Sequence, residues 1–453
     1  MKIDFEHLGG IEKGSIQLND FTLFCGKNNS GKTYVMYSLY GLLEKDFDIR
    51  FNFVKKIIEK LKLEGTYRLD VREVFNSNQI EMVKHIEEHF KKYLPRLFGV
   101  TNEEFSNTTT IRLNFDDEDL QARSIKKPAK NTLSLGKIKD WSLSLEKEAD
   151  SEIIQLTLHN TEIPDSLLQE FISKSLVSIL FTCLSKDSFL LPAERAGLNL
   201  FFKELSSTRN LLIQHAQKDK VDPMELLKDI ISSRYADPIQ DYIQHLNKIG
   251  RTKSQKSIYR EYAQNIQKKV LNGKYEVDSQ GNVFFIPYRS DTKKLPLHFG
   301  SSTVKTLFGL VFYLEHLAER GDCLMIDEPE LNLHPDNQRQ VARILAQLVN
   351  ADLKVIVSTH SDYFVRELNN LIMLKKGFSG SIELQKKFGY QDNELLEGKR
   401  VTAYLFNEKK ITPMTVDNEE GIIAETFDVV INDLNKSSNE IYYAMQDAKE
   451  LND

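Results

Sequence analysis

The stretch GKNNSGKT, residues 26–33, constrains the fold of this chain more than any other feature. Gly26, four residues, Gly31, Lys32 and Thr33 is the spacing of a loop whose backbone N–H groups bind a polyphosphate. Glycine has no side chain, so the anion can approach the backbone closely. An apolar, strand-like run precedes the loop, and apolar residues recur at helical spacing after it. The pattern predicts a strand, a phosphate-binding loop and a helix whose N-terminus faces the anion.

A second motif, CLMIDEPELNLHP, lies far along the chain. Residues Cys323–Ile326 are typical of a buried parallel strand, and Asp327 and Glu328 follow at its carboxyl end. Open α/β sheets bind their ligands at that edge. We predict that Asp327 holds Mg²⁺ together with Thr33, and that Glu328 orients or polarises an attacking water.

A third element follows the second motif after a predicted helix that begins near Pro335. The run Leu353–Thr359 predicts another strand, and His360 comes directly after it. This order predicts that His360 lies at the same sheet edge, beside a terminal phosphate or the attacking water. A histidine after a strand often has only a structural role, so that alternative stays open.

This ordered set of motifs resembles the ATP-binding-cassette (ABC) class of P-loop ATPases. The similar branch includes chromosome-maintenance and recombination ATPases and the overcoming-lysogenisation-defect-like ATPases. The segments FCGKNNSGKT, LLPAERAGL, IDEPELNLHPDNQ and VSTHSDYF are also similar to the ATPase subunits of bacterial phage-defence systems such as Septu and PARIS. The resemblance implies an α/β ABC-type head with a P-loop sheet, ATP and Mg²⁺ as cofactors, and catalytic roles for Glu328 and His360.

In ATPases of this class a signature loop from one subunit closes over the nucleotide of another. The segment HFGSSTVKTLFGL stands at the expected place, although serine and threonine replace the usual glycines. The resemblance therefore implies a homo-oligomer joined through its heads, a dimer or higher. Simple helix capping by Ser301 or Ser302 is the alternative. The predicted nucleotide-binding residues are Gly26, Asn28, Asn29, Ser30, Gly31, Lys32, Thr33, Ser301 and Ser302.

The motifs divide the chain into four segments. Residues 1–50 and 281–375 are the two halves of the head, which is interrupted by residues 51–280. That insertion is too long for a loop and combines helical patches with strand-like pieces, so it predicts a mainly helical arm. Residues 376–453 have hairpin and helix character and predict an α/β cap that completes the head.

Two sites in the insertion carry charge. The stretch NKIGRTKSQKSIYR contains five basic residues and no acidic one, and could contact a DNA backbone while Tyr259 stacks on a base. A solvated basic loop is the alternative. Glu194 and Arg195, in LLPAERAGL, predict either a trans-acting or sensing pair near the nucleotide or an ion pair within the chain. The five basic residues are Lys248, Arg251, Lys253, Lys256 and Arg260.

Composition limits the remaining possibilities. A net charge of −6 provides no global attraction to nucleic acid. Three cysteines without metal-ligand spacing predict reduced thiols in a cytoplasmic protein without a membrane segment.

From the resemblance we predict the ATPase subunit of an antiphage complex that controls a separate nuclease. A DNA-repair or chromosome-maintenance clamp is the second hypothesis, and a module that keeps ATP as a structural ligand is the third.

Overall fold

The computed structural model describes residues 1–43, 49–101, 105, 108–114, 124–134, 142–159, 163–182, 185–205, 235–288, 294–423 and 425–450. The described strands are β1 (Lys2–Leu8), β2 (Ile11–Gln17), β3 (Phe21–Gly26), β4 (Thr66–Asp70), β5 (Thr110–Asn114), β6 (Ala129–Ser134), β7 (Ser142–Lys147), β8 (Ile153–Leu158), β9 (Ser188–Leu191), β10 (Gly273–Val277), β11 (Val283–Pro287), β12 (Leu295–Pro296), β13 (Cys323–Asp327), β14 (Lys354–Thr359), β15 (Val401–Asn407), β16 (Lys410–Met414), β17 (Val416–Asp417) and β18 (Gly421–Ile422).

The described part of the chain also forms α-helices of seven or more residues. They are α1 (Lys32–Leu43), α2 (Val54–Glu64), α3 (Val71–Phe98), α4 (Asp165–Thr182), α5 (residues 195–205), α6 (Asp237–Thr252), α7 (Arg260–Ile266), α8 (Ser302–His316), α9 (Pro335–Asn350), α10 (Asp362–Lys376), α11 (Ser381–Phe388) and α12 (Glu425–Glu450). No described helix is both long and apolar enough to cross a membrane.

The main sheet has nine described strands, in the order β5-β1-β2-β16-β15-β3-β14-β13-β9. The five strands β15, β3, β14, β13 and β9 run parallel to one another, whereas β5, β1 and β2 pair antiparallel. Asp327 lies opposite Ser358, and Thr359 lies opposite Cys25, so β3, β14 and β13 end side by side. The predicted α/β ATPase-head fold is thereby confirmed, with all three motifs at one sheet edge.

Strand β13 illustrates why the central strands are apolar along their whole length. Cys323 and Met325 contact one hydrophobic core, and Leu324 and Ile326 contact the other. Successive side chains of a strand point to opposite faces, and helices bury both faces of this sheet. Helices α1 and α3 contribute to the core on the first face, and α8–α10 contribute to the core on the second. Cys323 is buried, as predicted.

The segment 51–280 is closely joined to the head. It forms the separate four-stranded sheet β4-β8-β7-β6, with α2 and α4 beside it, and it also supplies β5 and β9, the two edge strands of the main sheet. Strand β9 pairs with β13 from Ser188 to Leu191. The division into head, insertion and cap stays a proposal, to which the structure adds that the inserted segment extends the head sheet at both edges.

The C-terminal segment contributes to the centre of the sheet. Strands β15 and β16 form the predicted antiparallel hairpin, and β15 pairs in parallel with β3, the strand that leads into the phosphate loop. Strand β16 then pairs with β2. Residues 401–414 therefore complete the sheet between its parallel and antiparallel parts.

Candidate functional site

The loop of residues 26–31 joins β3 to α1 and contains three residues with positive φ. The φ angles of Gly26, Asn29 and Gly31 are 151°, 60° and 95°. A Cβ atom on Gly26 would lie 2.4 Å from the carbonyl oxygen of Phe406, and one on Gly31 would lie 2.7 Å from Ile11 Cγ1. Both glycines are therefore required by backbone conformation and by close packing. The helix begins at the next residue, so the loop amides precede a helix N-terminus.

Lys32 is folded back onto its own loop. Its Nζ donates hydrogen bonds to the carbonyl oxygens of Gly26 (2.9 Å) and Lys27 (2.8 Å). Burial lowers the pKa of the Lys32 ammonium, and the carboxylates of Asp327 and Glu328 act in the opposite direction. The loop thus holds a cation in its centre, beside a buried Ser30 hydroxyl without a hydrogen-bond partner among the described residues. A cation and unpaired donors fit a polyphosphate.

Asp327 connects three elements of the site. Its Oδ2 accepts a hydrogen bond from Thr33 Oγ1 at 2.9 Å, and its Oδ1 accepts one from Ser358 Oγ. Thr33 and Asp327, the two residues predicted to hold Mg²⁺, are therefore adjacent in space, although they belong to the two separate segments of the head in the sequence. A hydroxyl and one carboxylate, completed by phosphate oxygens and water, are the ligands that Mg²⁺ prefers at nucleotide sites. Ser358 was not predicted, since a serine inside a buried strand gives no signal of its own.

Glu328 has an unusual backbone. Its φ is 53°, in the left-handed region, which costs a non-glycine residue about 1–2 kcal/mol. Its N–H donates to Ser358, at 3.1 Å from the carbonyl oxygen and 3.3 Å from Oγ. Left-handed non-glycine residues persist where surrounding contacts hold them, and they cluster at functional sites.

Arg195 supplies contacts on the other side of Glu328. The side chain is 2% exposed, and it donates to the carbonyl oxygens of Asp327 (2.6 Å), Glu328 (2.6 Å) and Pro192 (3.2 Å). Hydrogen bonds from a charged donor contribute about 1.5–3 kcal/mol, enough to offset the strain at Glu328. Neither predicted alternative describes this arrangement: Arg195 acts within the chain, but its acceptors are main-chain carbonyls instead of the Glu194 carboxylate.

His360 lies between two carboxylates. Its Nδ1 is 3.5 Å from Glu328 Oε1 and 3.4 Å from Glu330 Oε1. Glu330, which is 5% exposed, also accepts hydrogen bonds from Thr359 Oγ1 (2.7 Å) and from the His360 N–H (2.8 Å). Sequence reasoning missed Glu330. The available signal was a third carboxylate three residues after Asp327, in IDEPE.

The predicted signature loop begins α8. Ser301 is the N-cap, because its Oγ accepts a hydrogen bond from Val304 N–H at 3.3 Å, and both Ser301 and Ser302 are exposed. Thr303 Oγ1 donates to the carbonyl oxygen of Asn332 at 3.0 Å, in the loop that follows the Asp–Glu motif. Capping by Ser301 is therefore observed, and nucleotide contact in trans stays a prediction.

The basic stretch 247–260 differs from its prediction. Tyr259 is 1% exposed and donates its hydroxyl hydrogen to Ala351 O at 2.7 Å, so stacking of this ring on a base is wrong. Lys253 Nζ donates to two carbonyl oxygens, and Arg260 pairs with Glu315. The packing of α7 against α8 and α9 buries Tyr259 and brings Arg260 beside Glu315. The exposed members of the set are Lys248, Arg251, Lys256 and Arg260, of which Arg260 is paired with Glu315.

The fold and the site together define a P-loop ATPase with an ABC-like head, in which the phosphate loop, the Asp–Glu pair and a histidine meet at one sheet edge. The family model described as an AAA ATPase domain matches residues 1–365, and the chain belongs to that family. The chain is accordingly a nucleotide-binding ATPase. No curated protein matches its sequence.

Several solved structures resemble the chain at low identity. The SmcHead bound to the C-winged helix domain of ScpA is 11% identical, with a TM-score of 0.35, over 91% of this chain and 97% of that chain. The Smc head of Pyrococcus furiosus bound to the C-terminal domain of ScpA is 12% identical, with a TM-score of 0.36, over 96% and 98%. The SMC head domain of Thermotoga maritima is 10% identical, with a TM-score of 0.32, over 92% and 98%.

Proposed function

We propose that ATP binds with its β- and γ-phosphates in the loop of residues 26–33 and is hydrolysed at the adjoining edge of the main sheet. Lys32 exchanges its two carbonyl partners for phosphate oxygens, and the loop amides supply further donors. Mg²⁺, held by Thr33 and Asp327, would neutralise charge on the phosphates. The observation that carries this proposal is the hydrogen bond between Thr33 and Asp327, which joins the phosphate loop to the acidic strand.

Glu328 is the proposed residue for the attacking water. Its side chain is 24% exposed, so water can reach it, while its backbone is fixed on both sides. The water oxygen bonds to the γ-phosphorus, the bond from phosphorus to the ADP oxygen breaks, and the water proton passes to the Glu328 carboxylate. His360, which is 41% exposed, is positioned by Glu330 and contacts the γ-phosphate.

A second copy of the chain completes the site in this proposal. Ser301 and Ser302 are exposed at the N-terminus of the fifteen-residue helix α8, where hydroxyls and free N–H groups can contact an anion. A γ-phosphate bound to one head would meet these groups from the other head. ATP would then favour the closed pair of heads by its higher affinity for that state.

The biological role that we propose is the ATPase subunit of an antiphage complex, in which head closure controls a separate nuclease. Support comes from the segments LLPAERAGL and IDEPELNLHPDNQ, whose sequences are similar to those of phage-defence ATPases. A DNA-repair or chromosome-maintenance clamp is the second candidate. It is favoured by the exposed basic side chains of Lys248, Arg251 and Lys256 on and after α6.

Three assays on the purified full-length chain separate these roles. We expect Mg²⁺-dependent ATP hydrolysis by the chain, and cleavage of plasmid DNA only when a partner that co-purifies from the native host is added. Cleavage by the chain alone that survives Glu328→Gln and Asp327→Ala would contradict the proposed division of labour. Stimulation of ATP hydrolysis by duplex DNA, lost in a Lys248/Arg251/Lys256 triple-alanine variant, would favour the clamp. Tight ATP retention without turnover would indicate a structural ligand.

A further inference from the structure

Arg195 is the buried arginine at the start of α5, and its surroundings are unusual for a charged group. Within the described part of the chain, its guanidinium forms no ion pair, and its hydrogen bonds go to main-chain carbonyls. A buried cation is normally paired with an anion, because desolvation of an unpaired charge is costly. The Arg195 charge lies against the main-chain carbonyls of the Asp–Glu pair. This position indicates a role beyond packing.

We infer that Arg195 is a positioning residue for ATP hydrolysis, which fixes the main chain of Asp327 and Glu328 and thereby orients the Glu328 carboxylate. The inference rests on the proposed role of Glu328. It adds a residue from the inserted segment to a site whose other members come from the two halves of the head.

The hydrogen bonds of the Arg195 guanidinium support this inference. Nη1 donates to the carbonyl of Asp327, and Nη2 donates to the carbonyl of Glu328, each at 2.6 Å. From the opposite side, the Ser358 carbonyl accepts the Glu328 N–H at 3.1 Å. Both peptide groups that flank the Glu328 Cα are therefore held, one through its N–H and both through their carbonyls. A residue at a φ of 53° that is held in this way cannot relax to an ordinary strand or helix conformation.

Helix α5, which carries Arg195, is itself held in place by hydrogen bonds. One helical turn further along α5, Asn199 Nδ2 donates to the carbonyl of Lys305 in α8 at 2.7 Å, and Asn199 Oδ1 accepts from the Tyr242 hydroxyl at 2.7 Å. Helix α5 thus connects the Asp–Glu motif to the first turn of the signature-loop helix. A planar guanidinium reaches two successive carbonyls at once, whereas a lysine ammonium is a point charge on a flexible stem.

Arg195→Lys tests the inference while keeping the positive charge. We expect kcat for ATP to fall by at least about tenfold, since a misplacement of about 1 Å can cost about 10²-fold. The affinity for a fluorescent ATP analogue should stay near that of the wild type, because the phosphate loop is unchanged. Arg343→Lys is the matched control: Arg343 is also buried, but it pairs with Glu367 and stacks on Tyr390 away from the site. We expect this control to lower the unfolding temperature and leave kcat unchanged.

A double-mutant cycle separates positioning from stability. In single-turnover assays, Arg195→Lys should slow hydrolysis in the wild-type background and have little further effect in the Glu328→Gln background, because both changes remove the same contribution. An equal slowing in both backgrounds, or wild-type kcat in Arg195→Lys, would overturn the inference. Wild-type turnover in Glu328→Gln alone would instead overturn the proposed role of Glu328. If Arg195→Lys does not fold, Arg195→Gln is measured in the same cycle against the same outcomes.

Discussion

Thr33 Oγ1 and Asp327 Oδ2 lie 2.9 Å apart, although 294 positions of sequence separate the two residues. The contact brings a hydroxyl from the first turn of α1 to the carboxylate at the end of β13. Asp327 is also hydrogen-bonded to Ser358, so its carboxylate is held in one orientation before any ligand binds. In the proposed site, a divalent cation with phosphate ligands would meet two oxygen atoms that are already in place.

Removal of the Thr33 hydroxyl should weaken the response to Mg²⁺. We expect Thr33→Ala to raise the Mg²⁺ concentration needed for half-maximal ATP hydrolysis by about tenfold or more, the lower range for loss of a group that supports a metal site. Thr33→Ser keeps the hydroxyl and is the control, which should behave like the wild type. Equal Mg²⁺ dependence of Thr33→Ala and Thr33→Ser would exclude the hydroxyl from the metal site.

Lys32→Ala should remove ATP binding. The ammonium is the cation at the centre of the phosphate loop, and charge-assisted hydrogen bonds to phosphate are the strongest polar contacts available there. Lys27→Ala is a matched control, because Lys27 carries the same charge in the same loop but its side chain is exposed. Equilibrium titration with a fluorescent ATP analogue measures both. Equal affinities in the two variants would count against the phosphate-loop assignment.

Glu328→Gln should keep ATP binding and slow hydrolysis by about 10²-fold or more, the contribution of a positioned acid–base group. Glu408→Gln provides the control, since Glu408 is also a non-glycine residue with positive φ, at 47°, but lies exposed in the β15–β16 turn. Phosphate release under single-turnover conditions measures the step. Should both variants turn over ATP at the wild-type rate, Glu328 has no role in the reaction.

Assembly of the site from two copies predicts complementation. A mixture of Glu328→Gln with the Ser301/Ser302 double-alanine variant should regain up to about one quarter of the wild-type sites, since random pairing gives half heterodimers with one intact site in two. Glu328→Gln mixed with Lys32→Ala should regain none, because both changes damage the same half of each site. Full activity of the double-alanine variant alone would contradict the arrangement in trans.

Stability should depend on pH through Asp322. Burial raises the pKa of this carboxyl to about 6, and the charges of Asp187 and Glu319 act in the same direction, although a hydrogen bond from the Glu319 N–H opposes them. Between pH 4 and 6 the folded chain therefore binds more protons at Asp322 than the unfolded chain, so the free energy of unfolding falls as pH rises through this range.

Asp322→Asn removes that titration. We expect the variant to lose part of the decline in stability between pH 4 and 6, measured by urea unfolding at several pH values. Asp433→Asn, at an exposed position on α12, is the control and should keep the wild-type pH dependence. A wild-type decline in Asp322→Asn would assign the effect to another group.

Local motifs allowed the central part of the fold and of the site to be predicted. The loop around Lys32 and the acidic pair at Asp327 are each specified by neighbouring residues, and parallel strands bring their ends to one edge. Ser358 and Arg195 became part of the site only through pairing of β14 with β13 and through the position of α5. A sequence read one segment at a time does not contain those distances.

Burial was the other source of error. Tyr259 lies among basic residues, so we predicted a ring that could stack on a base. The packing of α7 buries this ring. Strands β5 and β9 are four or five residues long and lie within a segment rich in helices. A short apolar run such as SFLL does not distinguish a buried strand from a helix, so β9 gave no clear signal in the sequence.

The position of β15 has a practical consequence for work with fragments. The family match ends at residue 365, whereas the strand that flanks β3 begins at Val401. A truncation at residue 365 would remove β15 and β16. Strands β2 and β3 would then have unpaired backbone groups on the two sides of the gap, next to the phosphate loop. Open strand edges of this kind promote self-association. Fragments prepared for expression should therefore extend at least to Met414, and a fragment that ends at residue 365 should precipitate.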